Sequence, residues 1–190
     1  MQFPRMPIEE ESPEQFGYDK IKFNLTESSV RDRTLGDLGV DLRDLTLAYT
    51  DHLGHPGLRA LLAQRAATGL RADHVLITAG AAAALFIVAV TLLDRGDHIV
   101  VVRPNYATNI VTPRVLGCDI SYLDLSFEDG FKLDITKLKS LVRPDTKLIS
   151  VTTPHNPTGV ALTSEQLTQI VAIAEGCGAH VLVDETYREM

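Results

Sequence analysis

The chain has 190 residues, of which 45% are hydrophobic and 23% charged, and its formal net charge is −7. This composition allows a buried core and excludes a chain that is disordered by composition. The acidic balance argues against nucleic-acid binding, which needs a basic face. No apolar run approaches the roughly 20 residues of a membrane-spanning helix, and no signal-peptide pattern opens the chain. We therefore expect a cytoplasmic protein with no membrane or nucleic-acid partner.

The first part of the chain is rich in proline and acidic residues up to about residue 18, which predicts an extended arm. Alternating apolar and polar residues predict a short strand over 21–25. A loop with several turn residues then leads to a predicted helix over 58–68. Pro56 suits the first turn of that helix, and Gly69 suits its end.

From residue 74 onward, short apolar runs alternate with segments of helical pattern. Strands are predicted at 74–78, 98–102, 120–125, 147–151 and 181–183. Helices are predicted to end near residues 93 and 116, to cover 134–141, and to run from a cap at Thr163 or Ser164 to about residue 175. This alternation predicts βαβ units, and therefore a three-layer α/β fold with a mostly parallel sheet.

Polar residues follow two of the predicted buried strands. Asn156 lies in a Pro-His-Asn-Pro-Thr-Gly loop after the strand at 147–151, and Asp184 follows Val181-Leu182-Val183 directly. Ligands of open α/β sheets bind at the carboxyl ends of the strands. The pair therefore suggests a ligand with one polar edge and one cationic nitrogen. Alternatively, Asn156 organises its own turn, and Asp184 is compensated by a cap or water.

Three further features lie at predicted strand ends or in loops. Gly80, Ala81 and Ala82 begin a helix where free backbone N–H groups could bind a phosphate, although the motif alone favours a tightly packed helix start. Tyr106 could stack on a flat ring or lie on the surface, and Tyr187 could point into the same crevice. His52 and His55 have no further ligands nearby in sequence, so we expect no metal site.

Together, and in this order, these motifs resemble the class I/II aminotransferases, which have the aspartate-aminotransferase-like fold and bind pyridoxal 5′-phosphate (PLP). The resemblance covers about residues 49–187. It implies that residues 1–48 form an N-terminal arm and part of a small domain. It also implies that 49–190 form the first part of the PLP-binding large domain, incomplete at its C-terminus.

The resemblance assigns a role to each motif. It implies that Asp184 pairs with the protonated pyridine nitrogen of PLP, which keeps the ring cationic and able to absorb electrons. Asn156 and Tyr187 would bind the phenolic oxygen of the ring, and Tyr106 would stack on its face. The amides of Ala81 and Ala82, after Gly80, would hold the phosphate.

A second pattern implies a homodimer. Tyr49, Gly54, Leu58 and Arg59 match the family's Tyr-x-x-x-x-Gly-x-x-x-Leu-Arg motif. There the tyrosine reaches the phosphate bound by the neighbouring subunit. The substrates implied are an amino acid and a 2-oxo acid.

Three departures from the family pattern affect function. The catalytic Schiff-base lysine of the family follows the Asp-x-x-Tyr motif at a distance, so its position is not among these 190 residues, which would be inactive alone. The loop at 27–29 replaces a glycine-containing loop, which leaves the substrate class open. Ala82 stands where many members have a hydroxyl or aromatic residue.

Two other functions remain open at this point. The residues that hold the ring do not decide which Cα bond breaks, so a PLP-dependent lyase, synthase or decarboxylase is an alternative. A non-catalytic PLP-fold module is another, if the natural chain ends at Met190. A Rossmann-type nucleotide binder is disfavoured because the three-glycine fingerprint is absent.

Overall fold

The computed structural model describes residues 2, 3, 5, 10–24 and 33–189. The chain divides into two compact units, an N-terminal unit of residues 4–77 and a C-terminal unit of residues 1–3 and 78–190. The predicted domain assignment, 1–48 and 49–190, stays a prediction. Within the described ranges no helix is long and apolar enough to cross a membrane.

In its described residues the N-terminal unit contains short helices. These are α1 (Pro13–Phe16), a 3-10 turn (Tyr18–Lys20), α2 (Pro56–Ala66) and a second 3-10 turn (Ala72–His74). The prediction of an extended arm up to about residue 18 is wrong for residues 13–16, where proline at the first helical position and an acidic residue in the first turn favour a helical turn. Residues 21–24 form no strand, and residue 25 and the loop at 27–29 lie outside the described residues.

Helix α2 confirms most of the predicted helix at 58–68, with earlier bounds. Pro56 occupies its first turn, and His55 caps it by accepting a hydrogen bond from the Leu58 N–H at 3.3 Å. His55 therefore has a structural role in the loop. The helix ends at Ala66, and Gly69 lies in the turn that follows with a φ of +87°.

Arg59 on α2 is the main polar anchor of the N-terminal unit. Its side chain is buried, with only 5% of the residue exposed. The guanidinium donates to the carbonyl of Val75 at 2.9 Å and to that of Ala72 at 2.8 Å. Asp51 and Asp73 lie at 3.9 and 3.8 Å from it and balance its charge. One buried cation thus holds the loop after the second 3-10 turn against the helix.

This anchor explains why the predicted strand at 74–78 is wrong. The backbone there is extended. However, the carbonyl of Val75 accepts a hydrogen bond from Arg59, and the Ile77 N–H donates to the carbonyl of Leu53 at 3.0 Å. The segment pairs with a side chain and a loop in place of a neighbouring strand, so no ladder forms.

The C-terminal unit alternates helices and strands as predicted. Its elements, in chain order, are α3 (Ala81–Leu92), β1 (His98–Arg103), α4 (Ala107–Leu116), β2 (Asp119–Asp124), α5 (Ile135–Leu141), β3 (Thr146–Thr152), α6 (Ser164–Glu175) and β4 (His180–Asp184). Thr163 is the N-cap of α6. Its hydroxyl accepts a hydrogen bond from the backbone N–H of Gln166, and the side-chain oxygen of Gln166 accepts one from the backbone N–H of Thr163.

The four strands form one parallel sheet in the order β2-β1-β3-β4. Strand β1 pairs with β2 and β3, and β3 pairs with β4, so that Thr152 lies opposite Asp184. The carboxyl ends of β1, β3 and β4 therefore lie side by side at one edge.

Both faces of this sheet are covered, which gives three layers. Val100 and Val102 pack on one face with residues of α5 and α6, including Leu138 and Ile170. Ile99 and Val101 point to the other face, where they pack with residues of α3 and α4. The run of four apolar residues at 99–102 in β1 is the pattern of a strand in a parallel sheet buried on both sides. The predicted fold class is confirmed.

His98 begins β1 at the opposite edge from the strand ends and is 1% exposed. Its Nδ1 lies 2.7 Å from the Thr146 hydroxyl and its Nε2 lies 2.9 Å from the Ser121 hydroxyl. Burial lowers the pKa of His98, with a contribution from the cation of Arg143, while the carboxylates of Asp119 and Asp145 act in the opposite direction. The lowered pKa favours the neutral form of His98 in the folded protein.

Replacing Arg59 with methionine should destabilise the protein by about 2–3 kcal/mol, because two carbonyls lose a charged donor. Urea unfolding of the purified protein measures this change. Arg65 is exposed on the same helix, so R65M is the matched control, for which we expect less than about 0.5 kcal/mol. Equal effects of the two variants would contradict the role assigned to Arg59.

Stability should also depend on pH through His98. A pKa lowered from 6.5 by folding means that the unfolded chain binds more protons, so stability is full above about pH 6.5 and falls as the pH drops below it. Melting temperatures measured between pH 7.5 and 5.5 should fall less steeply in H98Q than in the unmodified protein. The exposed His52 provides the control, H52Q, whose slope should be unchanged.

Candidate functional site

Three loops meet at the carboxyl edge of the sheet. They follow Arg103 of β1, Thr152 of β3 and Asp184 of β4, and the three strands are adjacent. The Thr153 N–H donates to the Asp184 carbonyl at 2.9 Å, which extends the pairing of β3 and β4 by one bond. Parallel sheets bind ligands at this edge, and most of the candidate residues of the C-terminal unit lie here.

Asp184, at the end of the outermost strand β4, is a buried charged group at this edge. The residue is 9% exposed. Its Oδ1 accepts two hydrogen bonds from Thr186, one from the backbone N–H at 3.1 Å and one from the hydroxyl at 2.7 Å. Its Oδ2 accepts one from the side-chain amide of Asn109 at 3.3 Å. The buried carboxylate is therefore compensated by neutral donors.

Asn109 belongs to a buried polar network that sequence reasoning did not identify. Besides Asp184, its amide donates to the Oδ1 of Asn105 at 3.1 Å, and its own Oδ1 accepts from the Ser150 hydroxyl at 3.2 Å. The Oδ1 of Asn105 also accepts from the hydroxyl of Thr152 at 3.1 Å. The available signal was an asparagine at a buried position of α4, among apolar residues.

His155 ties two of the loops together. It is 4% exposed, and its Nε2 lies 2.9 Å from the carbonyl of Pro104. A carbonyl only accepts, so Nε2 carries the proton. Nδ1, 2.8 Å from the Thr158 hydroxyl, then accepts. Burial lowers the pKa of His155 and so favours this neutral form, while the hydrogen bond to the Pro104 carbonyl acts in the opposite direction.

Three predicted ring-binding residues project from the same loops. Tyr106 is the N-cap of α4, is 43% exposed, and donates its backbone N–H to Asn105 at 2.7 Å. Asn156 follows His155, and Tyr187 lies in the turn after Asp184; both are partly exposed. Each side chain is accessible, as a residue that contacts a ligand must be.

The start of α3 is the candidate anion site. Gly80 caps the helix with a φ of +84°, a conformation that favours glycine. A Cβ added there would meet no atom within 4 Å, so the space above the cap is open. Ala81 and Ala82 are exposed in the first turn, where backbone N–H groups have no acceptor within the helix.

The direction of α3 brings this start toward the strand ends. The short loop at 93–97 joins the end of α3 to the beginning of β1. Helix α3 packs through Ala89 and Leu93 on the face of the sheet that holds Ile99 and Val101. A helix that feeds a parallel strand runs opposite to it, so its N-terminus lies toward the carboxyl edge.

Tyr49 lies in the N-terminal unit, and its side chain is fully exposed. In the same motif Leu58 lies on α2, and Gly54 has a φ of +100° and closely approaches Ile77. Arg59 serves packing through the bonds described above. The predicted role of Tyr49 concerns a neighbouring subunit and stays a prediction.

Comparison with known proteins relates this arrangement to a family. The family model "Aminotransferase class I and II" matches residues 37–190. An aspartate aminotransferase of Sulfolobus acidocaldarius is 29% identical over 146 residues, which are 74% of this chain and 36% of that protein.

Solved structures agree in fold. A PLP-dependent aminotransferase from Streptococcus suis superposes with a TM-score of 0.87 at 29% identity, covering 97% of this chain and 52% of that one. The PLP-dependent cyclase OrfR superposes with a TM-score of 0.67 at 32% identity, covering 75% of this chain and 37% of that one. The chain thus spans about a third to a half of the length of these relatives. Since the family model matches most of its residues, the chain belongs to the class I and II aminotransferase family.

Proposed function

We propose that the protein is a PLP-dependent aminotransferase, which transfers an amino group between an amino acid and a 2-oxo acid, and that this chain provides part of the cofactor site. Family membership and the similarity to an aspartate aminotransferase support the reaction. A cytoplasmic location stays a prediction from the sequence.

The buried carboxylate of Asp184 is the observation that carries the proposal. Asp184 is compensated only by neutral donors in the described residues, so its negative charge has no partner there. A cationic pyridine nitrogen supplies such a partner. A carboxylate held at this position favours the protonated ring nitrogen, because an opposite charge nearby stabilises the charged form.

The start of α3 fits the phosphate of the same cofactor. Gly80, Ala81 and Ala82 offer backbone N–H groups, the positive end of a helix and no bulky side chain. Ala82 has no hydroxyl, so at that position the phosphate would be held by backbone and not by a side chain.

The remaining candidates surround the ring in this proposal. Tyr106 would stack on its face, while Asn156 and Tyr187 would bind its phenolic oxygen. PLP, when bound, supplies an electron sink for the bonds broken at the substrate Cα. Tyr49 would bind the phosphate held by the partner subunit of a homodimer.

A second candidate reaction is a different PLP chemistry on the same scaffold. The 32% identity to the cyclase OrfR favours keeping it, since that protein is PLP-dependent and is named for another reaction. The residues described here hold a ring, and none of them selects the bond that breaks. Assaying amino-group transfer against cyclisation or loss of a substrate group separates the two.

Replacing Asp184 with asparagine tests the proposal. The substitution keeps the shape of the side chain and removes its charge. We expect amino-group transfer to fall by at least about 100-fold, as when one electrostatic group of an active site is lost. Activity is measured with the purified full-length natural protein and PLP, across a panel of amino acids and 2-oxo acids.

Asp124 provides the matched control, because it ends β2 at the same edge but is exposed and paired with Arg103. D124N should retain activity within about twofold. Near-normal activity of D184N, at a melting temperature close to that of the unmodified protein, would remove the central assignment.

A further inference from the structure

We propose that Asn109 is a positioning residue that orients the Asp184 carboxylate so that Oδ2, and not Oδ1, meets the ring nitrogen of PLP. This inference rests on the proposed function and deepens it. It concerns a residue of α4 that touches neither the ring nor the substrate in the proposed site, and that acts through Asp184.

The two oxygens of Asp184 are not equivalent. A carboxylate oxygen has two favourable directions for accepting hydrogen bonds. Both directions at Oδ1 are used by Thr186, at 3.1 and 2.7 Å. Oδ2 accepts one bond from Asn109, at a longer 3.3 Å. One direction at Oδ2 is therefore left for a further donor, and a protonated ring nitrogen is a donor of the right charge.

Asn109 is itself held in one orientation. The hydroxyl of Ser150 donates to its Oδ1 at 3.2 Å, and its amide nitrogen faces two oxygens, those of Asn105 and Asp184. Turning the amide over would place its oxygen against both of these acceptors, so the donor must face Asp184. Asn109 is 5% exposed, and water cannot readily replace these bonds.

Asn105 completes the support and links it to the ring-stacking candidate. Its Oδ1 accepts from the backbone N–H of Tyr106 at 2.7 Å, and its Nδ2 donates to the carbonyl of Val102 at 3.2 Å. One set of bonds therefore fixes the loop that carries Tyr106 and, through Asn109, the carboxylate on the neighbouring strand end. Asn109 is a donor to both Asn105 and Asp184 in this set.

The test is a double-mutant cycle between the protein and the cofactor. Dissociation constants are measured for PLP and for its deaza analogue, in which a C–H replaces the ring nitrogen. N109L removes the donor and keeps the number and branching of the side-chain heavy atoms, and N109A is a smaller second variant in case N109L does not fold. S150A removes only the hydroxyl bond to the Asn109 Oδ1, while the oxygens of Asn105 and Asp184 still fix the direction of the Asn109 amide donor, so it is the matched control.

We expect N109L to weaken PLP binding by about tenfold and to change binding of the deaza analogue by less than about twofold, because only PLP places a cation at Oδ2. S150A should weaken both ligands equally, by less than about twofold. Melting temperatures of the cofactor-free proteins measure how much each substitution destabilises the fold itself, an effect that we expect in both variants.

Equal losses for PLP and the deaza analogue in N109L would overturn the inference and leave the proposed function standing. Unchanged PLP affinity in N109L, or a PLP-selective loss in S150A as large as that in N109L, would also overturn it. If the unmodified protein binds neither ligand, the proposed function fails and the inference fails with it.

Discussion

The arrangement of the strand ends depends on the burial of one carboxylate. Burying Asp184 is costly unless its oxygens are hydrogen-bonded. One set of bonds comes from its own turn, through Thr186, and the other comes from Asn109, 75 residues earlier in the chain. Forming the second bond requires α4 to pack beside β3 and β4. The charge of Asp184 is therefore compensated only when this edge of the sheet is assembled.

Other hydrogen bonds make the same edge rigid. His155 links its loop to the carbonyl of Pro104 at 2.9 Å, and Thr153 extends the pairing of β3 with β4 by a bond of 2.9 Å. Bonds of this kind hold the backbone of the loops that carry Tyr106 and Asn156. A binding site gains affinity when its residues are already in place, because less freedom is lost on binding.

The alternation of strands and helices from residue 98 onward could be predicted from the sequence, because each strand is a short apolar run bounded by turn residues. The same pattern failed at 74–78. There the extended backbone bonds to the buried Arg59 and to Leu53, and local pattern cannot reveal partners that lie 16 or more residues away. Tertiary hydrogen bonding decided the outcome.

The candidate site was predictable to a similar extent. Asp184 and Asn156 stand out because polar residues directly follow buried strands. Asn109 does not, since its position in a helix gives no hint of a partner on β4. The role of Asn109 depends on the strand order and on which face of the helix packs on the sheet. Neither can be predicted from the residues around Asn109. A prediction limited to motifs finds the groups that face the ligand and misses those that hold them.

The central claim is that Asp184 receives the cationic nitrogen of PLP. A crystal structure of the purified protein with PLP tests it most directly. The account predicts the ring nitrogen within about 3 Å of the Asp184 Oδ2, with the phosphate at the first turn of α3. A ring bound elsewhere, or a ring nitrogen too far from the carboxylate to share a hydrogen bond, would contradict the account.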